Sequence, residues 1–258
     1  MRHREISVVI PAHNEERVIG SLLESLMIQD RLPDEIIVVC DSCTDDTQGV
    51  VERFASRVAE SGVRIVAEEG NYRDIAGSRN HGLERSRGDI LVCLDSDTAL
   101  TPGGLAAIEH AVEKGFDYGS LRLVPAELPA DPWNATVLAL WLTGMNRSSR
   151  QRGWFYGTGV FFTRALMEQA GPYDPTWGWA EDIELSERFR ASGARPVLIE
   201  GECLYYSDRR FAERGYLREV LRRWKNGLGH LQKMRTHPIH TGTAGTANTT
   251  DSIESGKS

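Results

Sequence analysis

A chain of 258 residues with 40% apolar and 26% charged side chains has the length for one large α/β domain or two small ones, and its composition excludes collagen-like, mostly disordered and disulfide-scaffold proteins. Thirty Lys and Arg against 37 Asp and Glu leave a net charge of −7, so the chain as a whole offers no electrostatic footprint for nucleic acid. Its four cysteines are expected as buried free thiols. Cys40-Asp-Ser-Cys43 has CxxC spacing, but it ends a strand and no second pair completes a zinc site.

In chain order, Ile6–Ile10 is a short β-branched strand. Val18, Ile19, Leu22, Leu23 and Leu26 follow at helical spacing, with Asn14 as the expected N-cap. Glu35–Cys40 is a second strand, and Val50, Val51, Phe54 and Val58 form the apolar face of a second helix. Val63–Ala67 is a third strand, Ile75–Arg87 is helical, Asp89–Leu94 is an apolar strand and Leu105–Val112 is again helical. This βαβα order with apolar strands implies a Rossmann-like, mostly parallel sheet with helices on both faces. From Leu121 the pattern changes. Pro125, Pro129, Pro132, Trp133, Trp141 and Trp154-Phe-Tyr156 suggest antiparallel strands and loops added to the same sheet. A helix over Asp182–Ala191 stops at Gly193, and Pro196–Ile199 is a strand.

Arg209 to Arg235 holds nine Lys or Arg and two Glu. There Leu217, Leu221, Trp224, Leu228 and Leu231 share one helical face, expected to cap the active site, since amphipathic helices most often pack on their own protein, with an anionic lipid surface as the alternative. Thr236–Ser258, rich in Thr, Gly and Ser, is expected as a disordered tail after a single domain of residues 1–235. Met1 to Glu5 carries no apolar signal region, and the uncharged run Pro132–Asn146 is shorter than the roughly 20 residues a spanning helix needs. The expectation is a cytoplasmic protein, with any membrane contact peripheral, at the inner face and through residues 209–235.

Ligands of open parallel sheets collect at the carboxyl ends of the strands, and here those ends are acidic. The first strand ends in Pro11-Ala-His-Asn-Glu-Glu16, the second in Asp41, and the fourth in Asp95-Ser-Asp97. Carboxylates repel a phosphate, so either the ligand is cationic or a divalent metal sits between; the second fits Asp95 and Asp97 best, because hard oxygen ligands two residues apart suit Mg²⁺ or Mn²⁺. No GxGxxG follows the first strand and no GxxxxGK[ST] occurs, which disfavours dinucleotide dehydrogenases and P-loop enzymes.

The ordered set Val-Ile-Pro-Ala-His-Asn-Glu-Glu16, Val39-Cys-Asp-Ser-Cys-Thr-Asp-Asp-Thr47, Ala76-Gly-Ser-Arg-Asn80, Leu94-Asp-Ser-Asp-Thr98 and Trp179-Ala-Glu-Asp-Ile-Glu-Leu185 resembles the family 2 glycosyltransferases of the GT-A (nucleotide-diphospho-sugar transferase) fold over about residues 6 to 210. The resemblance implies transfer of a sugar from a nucleotide-diphosphate donor, UDP-linked first of all, to an acceptor hydroxyl of a saccharide, lipid-linked or small molecule, with inversion. It implies a donor half over residues 1–124, an acceptor and catalytic half over 125–208 and the basic segment 209–235. Asp41 would hold the base, Asp97 the metal, Asp95 the ribose or metal, and Asp182 would be the catalytic base with Glu181 beside it. Pro11, His13, Glu15, Arg79, Asn80 and Ser96 complete the implied donor site, His13 as wall. Cys40 stands where the family often has a second acid.

Chemistry fits these roles. Departure of a diphosphate builds negative charge that a metal stabilises, and a carboxylate at a helix start can take the acceptor proton beside Trp177 and Trp179, which can pack on a sugar. Arg79 and Asn80 are expected to reach the donor phosphates or sugar, and His230 is a possible third metal ligand or a surface histidine. The alternatives are a retaining transferase of the same fold, a nucleotide-sugar-binding module without turnover, and a nucleotidyltransferase.

Overall fold

The computed structural model describes residues 4–236, with the side chains of Trp179 and of residues 227–236 excepted; the expected tail from residue 237 and the side chain of His230 lie outside the described residues. The elements are β1 (Ile6–Ala12), α1 (Ile19–Met27), β2 (Glu35–Asp41), α2 (Thr47–Arg57), β3 (Arg64–Gly70), α3 (Ile75–Arg85), β4 (Ile90–Cys93), β5 (Ala99–Leu100), α4 (Gly104–Glu113) and β6 (Tyr118–Pro125), then α5 (Pro132–Arg152), β7 (Val160–Thr163), α6 (Arg164–Ala170), a 3-10 segment (Pro175–Ala180), α7 (Glu181–Ala191), β8 (Pro196–Tyr206), α8 (Arg209–Arg214) and α9 (Tyr216–Thr236).

Eight strands form one sheet in the order β3-β2-β1-β4-β7-β6-β8-β5. β3, β2, β1 and β4 run parallel, β7 is antiparallel to both β4 and β6, and β8 runs parallel to β6. Strand residues alternate between two cores. Val8, Ile10, Ile90 and Val92 pack with Leu22, Val51, Leu105 and Leu138 on one face, while Val9, Leu91 and Cys93 pack with Leu83, Leu166, Leu185 and Phe189 on the other. Apolar side chains on both faces explain why these strands read as unbroken hydrophobic runs. A Cβ on Gly82 would lie 2.4 Å from a Val9 methyl, so glycine there lets α3 lie close on β1 and carries Arg79 toward the strand ends.

Three expectations are corrected. Residues 132–152 form a helix of 21 residues rather than strands and loops: the Asp131 carboxylate caps it through Asn134 N, Pro132 occupies its first turn and Gly153 closes it at φ 69°. Asn14 is no N-cap, since α1 begins at Ile19 without a side-chain cap. Instead Asn14 sits at φ 56°, and its Oδ1 accepts from Thr44 N at 2.7 Å and from Thr44 Oγ1 and Asp45 N. Finally, among the described side chains of α9 Tyr216 and Glu219 are buried, while Leu217, Leu221 and Trp224 are exposed, so this part of the leucine face is not packed down, although Trp224 lines the cavity described below. No helix among the described residues is long and apolar enough to cross a membrane.

Asn14 thus clamps the loop after β1 to the loop after β2. Glu15 N adds a bond to Thr47 Oγ1, Glu16 N one to Asp45 Oδ2, and Asp46 N one to Glu16 Oε2. We expect Asn14→Ala to lower stability by about 1–2 kcal/mol, because alanine tolerates positive φ poorly and leaves three donors to solvent. Urea unfolding checks this, with Asn14→Gly, which suits the φ but loses the bonds, falling between the two.

Candidate functional site

At the carboxyl end of β2, Asp41 is buried and accepts from Tyr72 N at 2.7 Å, Ser78 Oγ at 2.8 Å and Ser42 Oγ at 3.3 Å. Of its roughly four lone-pair sites, two tie the loop after β3 and the start of α3 to the sheet and a third takes the neighbouring Ser42 hydroxyl. His13 is exposed, and its Nδ1 donates to the Asp41 carbonyl at 2.7 Å. Pro11 is half-buried within β1, paired with Val39.

Arg79 lines the cavity described below but is 1% exposed, and protein groups take up its guanidinium. Nη1 donates to Glu181 Oε1 at 2.8 Å, and Nη2 donates to the Gly157 carbonyl at 2.7 Å and to Asp95 Oδ1 at 3.1 Å. The guanidinium carbon lies 5.3 Å from the Tyr173 ring centroid. The two carboxylates and the ring hold Arg79 firmly charged despite its burial. Gly157, at φ 68°, turns its carbonyl to the guanidinium, and a Cβ there would meet Arg79 Nη2 at 3.0 Å. Asn80 is likewise taken up by protein groups. Its Nδ2 donates to the Tyr173 carbonyl and its Oδ1 accepts from Tyr173 N, at 2.8 and 2.9 Å, so this amide braces the segment before α7 and lies outside the cavity described below.

Glu181 and Asp182 open α7. Glu181 is buried on Arg79, so it acts as an anchor. Asp182 is half-buried, and its Oδ1 accepts from Ile183 N at 2.7 Å. Burial, then the neighbouring Glu181 charge, push the Asp182 carboxyl well above the usual range, against the opposing pull of Arg79. Burial likewise raises Glu181, with Arg79 pulling it down.

Asp95 and Asp97 flank the buried Ser96 after β4. Asp97 Oδ2 lies 3.2 Å from Arg209 Nη2, which also donates to Glu15 Oε1 at 2.7 Å. The acidic strand ends therefore carry their own counter-ions, Arg79 on Asp95 and Arg209 on Asp97 and Glu15. No group of three or more His, Cys, Asp or Glu side chains converges as a metal cage among the described residues. The residues present fit a Mg²⁺ or Mn²⁺ ion that takes one or two carboxylates and completes its shell with phosphate and water. Glu15 Oε2 is buried without a partner, and burial followed by the Asp95 charge raises the Asp97 carboxyl; a divalent ion relieves that excess negative potential.

Arg79, Asp95, Glu181 and Asp182 line one cavity of about 670 Å³, walled by Trp141, Met145, Trp154, Tyr156, Tyr206, Arg210, Arg223 and Trp224. Trp154 and Tyr156 come from the segment expected to contact an acceptor. Trp177 is buried and is not part of this wall; the side chain of Trp179 lies outside the described residues. Sequence reasoning missed Arg209, Arg210 and Trp224 as site residues. The basic run that contains them was visible, but nothing local to it shows which strand ends it meets. All four cysteines are free, and burial pushes the Cys40 and Cys93 thiols to about 12 and about 11.

The model of the family described as "Glycosyl transferase family 2" matches residues 7–168. The chain is 28% identical over 199 residues to "Probable glycosyltransferase YdaM" of Bacillus subtilis, covering 71% of this chain and 46% of that one. It is 39% identical over 101 residues to "Glucosyl-3-phosphoglycerate synthase" of Mycolicibacterium paratuberculosis, covering 36% and 29%. It thus spans less than half the length of either relative. Among solved structures it resembles the mannosyltransferase PcManGT of Pyrobaculum calidifontis in complex with GDP-Man and Mn²⁺, with a TM-score of 0.70 and 23% identity over 92% of this chain and 65% of that one. It also resembles S. aureus TarS 1–349 in complex with UDP, with a TM-score of 0.62 and 21% identity over 79% and 60%. These likenesses establish the fold.

The crowding of Asp182 by Glu181 is directly measurable. In carboxyl-labelled protein followed by NMR, Asp182 is expected to titrate above the ordinary aspartate range. Glu181→Gln should move that titration down, because it removes a negative neighbour and frees the Arg79 charge to act on Asp182. An Asp182 that titrates as an exposed aspartate does contradicts the description.

Proposed function

We propose that this chain, which belongs to glycosyl transferase family 2 and has the GT-A fold, transfers a sugar from a nucleotide-diphosphate donor to an acceptor hydroxyl with inversion. UDP-sugars are the first donors to test. The observation that carries the proposal is the meeting in one cavity of Asp95, from the fourth strand's end, with Asp182, from the start of α7, across the buried Arg79.

In this reading the donor lies over the carboxyl ends of β1, β2 and β4, with Pro11, His13, Glu15, Asp41 and Ser96 as its surroundings and Asp41 offering its remaining lone-pair site to the base. Asp97 and Asp95 would hold Mn²⁺ or Mg²⁺, which when bound offsets the charge that develops on the leaving diphosphate. Arg209 and Arg210 supply further positive charge at the same place. Asp182, opposite, takes the acceptor proton. Its raised pKa makes it a stronger base than an ordinary aspartate, and Glu181, fixed by Arg79, sets both its position and its basicity. The aromatic wall of Trp141, Trp154, Tyr156 and Trp224 receives the acceptor and excludes water. A base opposite the leaving group supports a single displacement and hence inversion. The acceptor classes compatible with this wall are saccharides, lipid-linked hydroxyls and small aglycones.

The test is titration of UDP-sugars by calorimetry and assay of transfer, each with and without Mn²⁺. Asp97→Asn should lose the metal-dependent part of donor affinity while keeping its fold. Asp182→Asn should keep donor affinity close to wild type yet lose roughly 10²-fold to 10⁴-fold in transfer. Retained activity in Asp182→Asn, or a product that keeps the donor's anomeric configuration, would overturn the assignment of the base.

A further inference from the structure

Helix α9 meets the body through Tyr216 and Val220, which pack on the core, and through a polar cluster beside them. Glu219 is 0% exposed and accepts from Arg222 Nη2 and from Arg223 Nε, each at 2.7 Å. Arg223 in turn donates to the Tyr206 hydroxyl and lies over the Phe211 ring. Burial works against the Glu219 carboxylate, but the bonds from Arg222 and Arg223 outweigh it and hold its pKa at about 2. The Glu219 pairs with Arg222 and Arg223 lie within α9; the helix meets the body through Arg214 of α8, 3.6 Å from Glu219, through Arg223 and through the apolar Tyr216 and Val220, and its leucine stripe is left exposed. Leu217, Leu221 and Trp224, spaced i, i+4 and i+7, are 49, 53 and 61% exposed. In the sequence the same spacing continues to Leu228 and Leu231. Arg218 and Lys225, both exposed, flank the stripe on one side by helical geometry. On α5, which packs against α9, Trp133 and Leu140 are also exposed, at 62 and 67%.

An apolar stripe bordered by cations matches the interface of an anionic bilayer, where leucine and tryptophan enter the acyl boundary and Arg and Lys meet the headgroups. A second copy of this chain is a poorer occupant, because apposing the stripe with itself brings the Arg218 and Lys225 flanks of both copies together without counter-charge. Trp224 belongs both to the stripe and to the cavity wall, so whatever the stripe rests on also meets the cavity's mouth.

We propose that the outer face of α9 docks on an anionic lipid surface and presents the cavity to an acceptor hydroxyl carried by a membrane lipid. The docking rests on the stripe and its cations alone; the lipid acceptor rests in addition on the transferase reading of the cavity. A sugar acceptor anchored in the bilayer would reach Asp182 without leaving the membrane, past the Trp224 side of the wall.

Cosedimentation of the full chain with vesicles of phosphatidylcholine, alone or mixed with phosphatidylglycerol, tests the docking. Binding is expected to the mixed vesicles and to weaken with salt. Leu217→Glu/Leu221→Glu should reduce it at least about tenfold, and Arg218→Gln/Lys225→Gln by about fivefold per cation removed. A blue shift of tryptophan emission on vesicle binding should be lost largely with Trp224→Phe. Thermal stabilisation by UDP-glucose with Mn²⁺, measured on the Leu217→Glu/Leu221→Glu variant, should equal wild type, since neither leucine lines the cavity. Absence of vesicle binding by protein that still responds to the donor overturns the docking and leaves the transferase reading standing. Vesicle binding by protein that responds to no nucleotide sugar supports the docking and removes the lipid acceptor. A wild-type dimer in sedimentation analysis that Leu217→Glu/Leu221→Glu dissociates would show the stripe to be a self-interface and overturn the proposal.

Discussion

A single desolvated guanidinium holds the site together. Arg79 leaves water almost completely, and a buried cation persists only where acceptors replace its hydration. Here the replacements come from three distant parts of the chain: Asp95 after the fourth strand, the Gly157 carbonyl before the seventh, and Glu181 at the start of α7. Because the geometry of a guanidinium is planar and fixed, satisfying it sets the spacing between the aspartate proposed for the metal and the helix that carries Asp182. Gly82 beneath α3 and Gly157 in the turn are the sequence's concessions to that arrangement, one allowing close approach to β1 and the other a positive φ.

The same logic organises the rest of the cleft. A parallel sheet whose strands lead into Glu15, Asp41, Asp95 and Asp97 concentrates negative charge at the carboxyl ends of its strands. The structure compensates it with hydroxyl and amide donors on Asp41 and with arginines on the others, Arg209 bridging Glu15 and Asp97 from α8. That bridge ties the basic C-terminal helices to the carboxyl end of the sheet, and it explains how a run with so much positive charge is accommodated in a chain of net −7. On α9 the buried Glu219 is likewise compensated by arginines, Arg222 and Arg223 of its own helix and Arg214 of α8.

Much of this was legible in the sequence, and the boundary of legibility is physical. The first four strands and their helices were readable because strands buried on both faces must be apolar throughout and their helices amphipathic. The Asp95 and Asp97 pair and the Glu181 and Asp182 pair were visible as motifs. Helix α5 was not, although Asp131-Pro132 and Gly153 mark its ends. Its inward Leu138, Leu142 and Met145 share the helix with outward Trp133 and Leu140, so no single stripe stands out. The protein partners of Arg79 and Asn80 were not legible, because a polar side chain on a short helix looks like a solvated or ligand-binding one when its partners lie 16 to 102 residues away. For α9 the period was correctly seen, but the side that meets the body carries Tyr216, Val220, Glu219 and Arg223, which the leucine spacing does not mark.

The most direct test of the central claim is a double-mutant cycle on unfolding free energy with Arg79→Met, Glu181→Gln and the pair. If the buried guanidinium fastens α7 to the strand ends, each single variant is strongly destabilised and the two couple by about 1–3 kcal/mol, the second change costing little once the first is made. Effects that add to within about 0.5 kcal/mol would mean that the two residues act independently and that the site is assembled by something else.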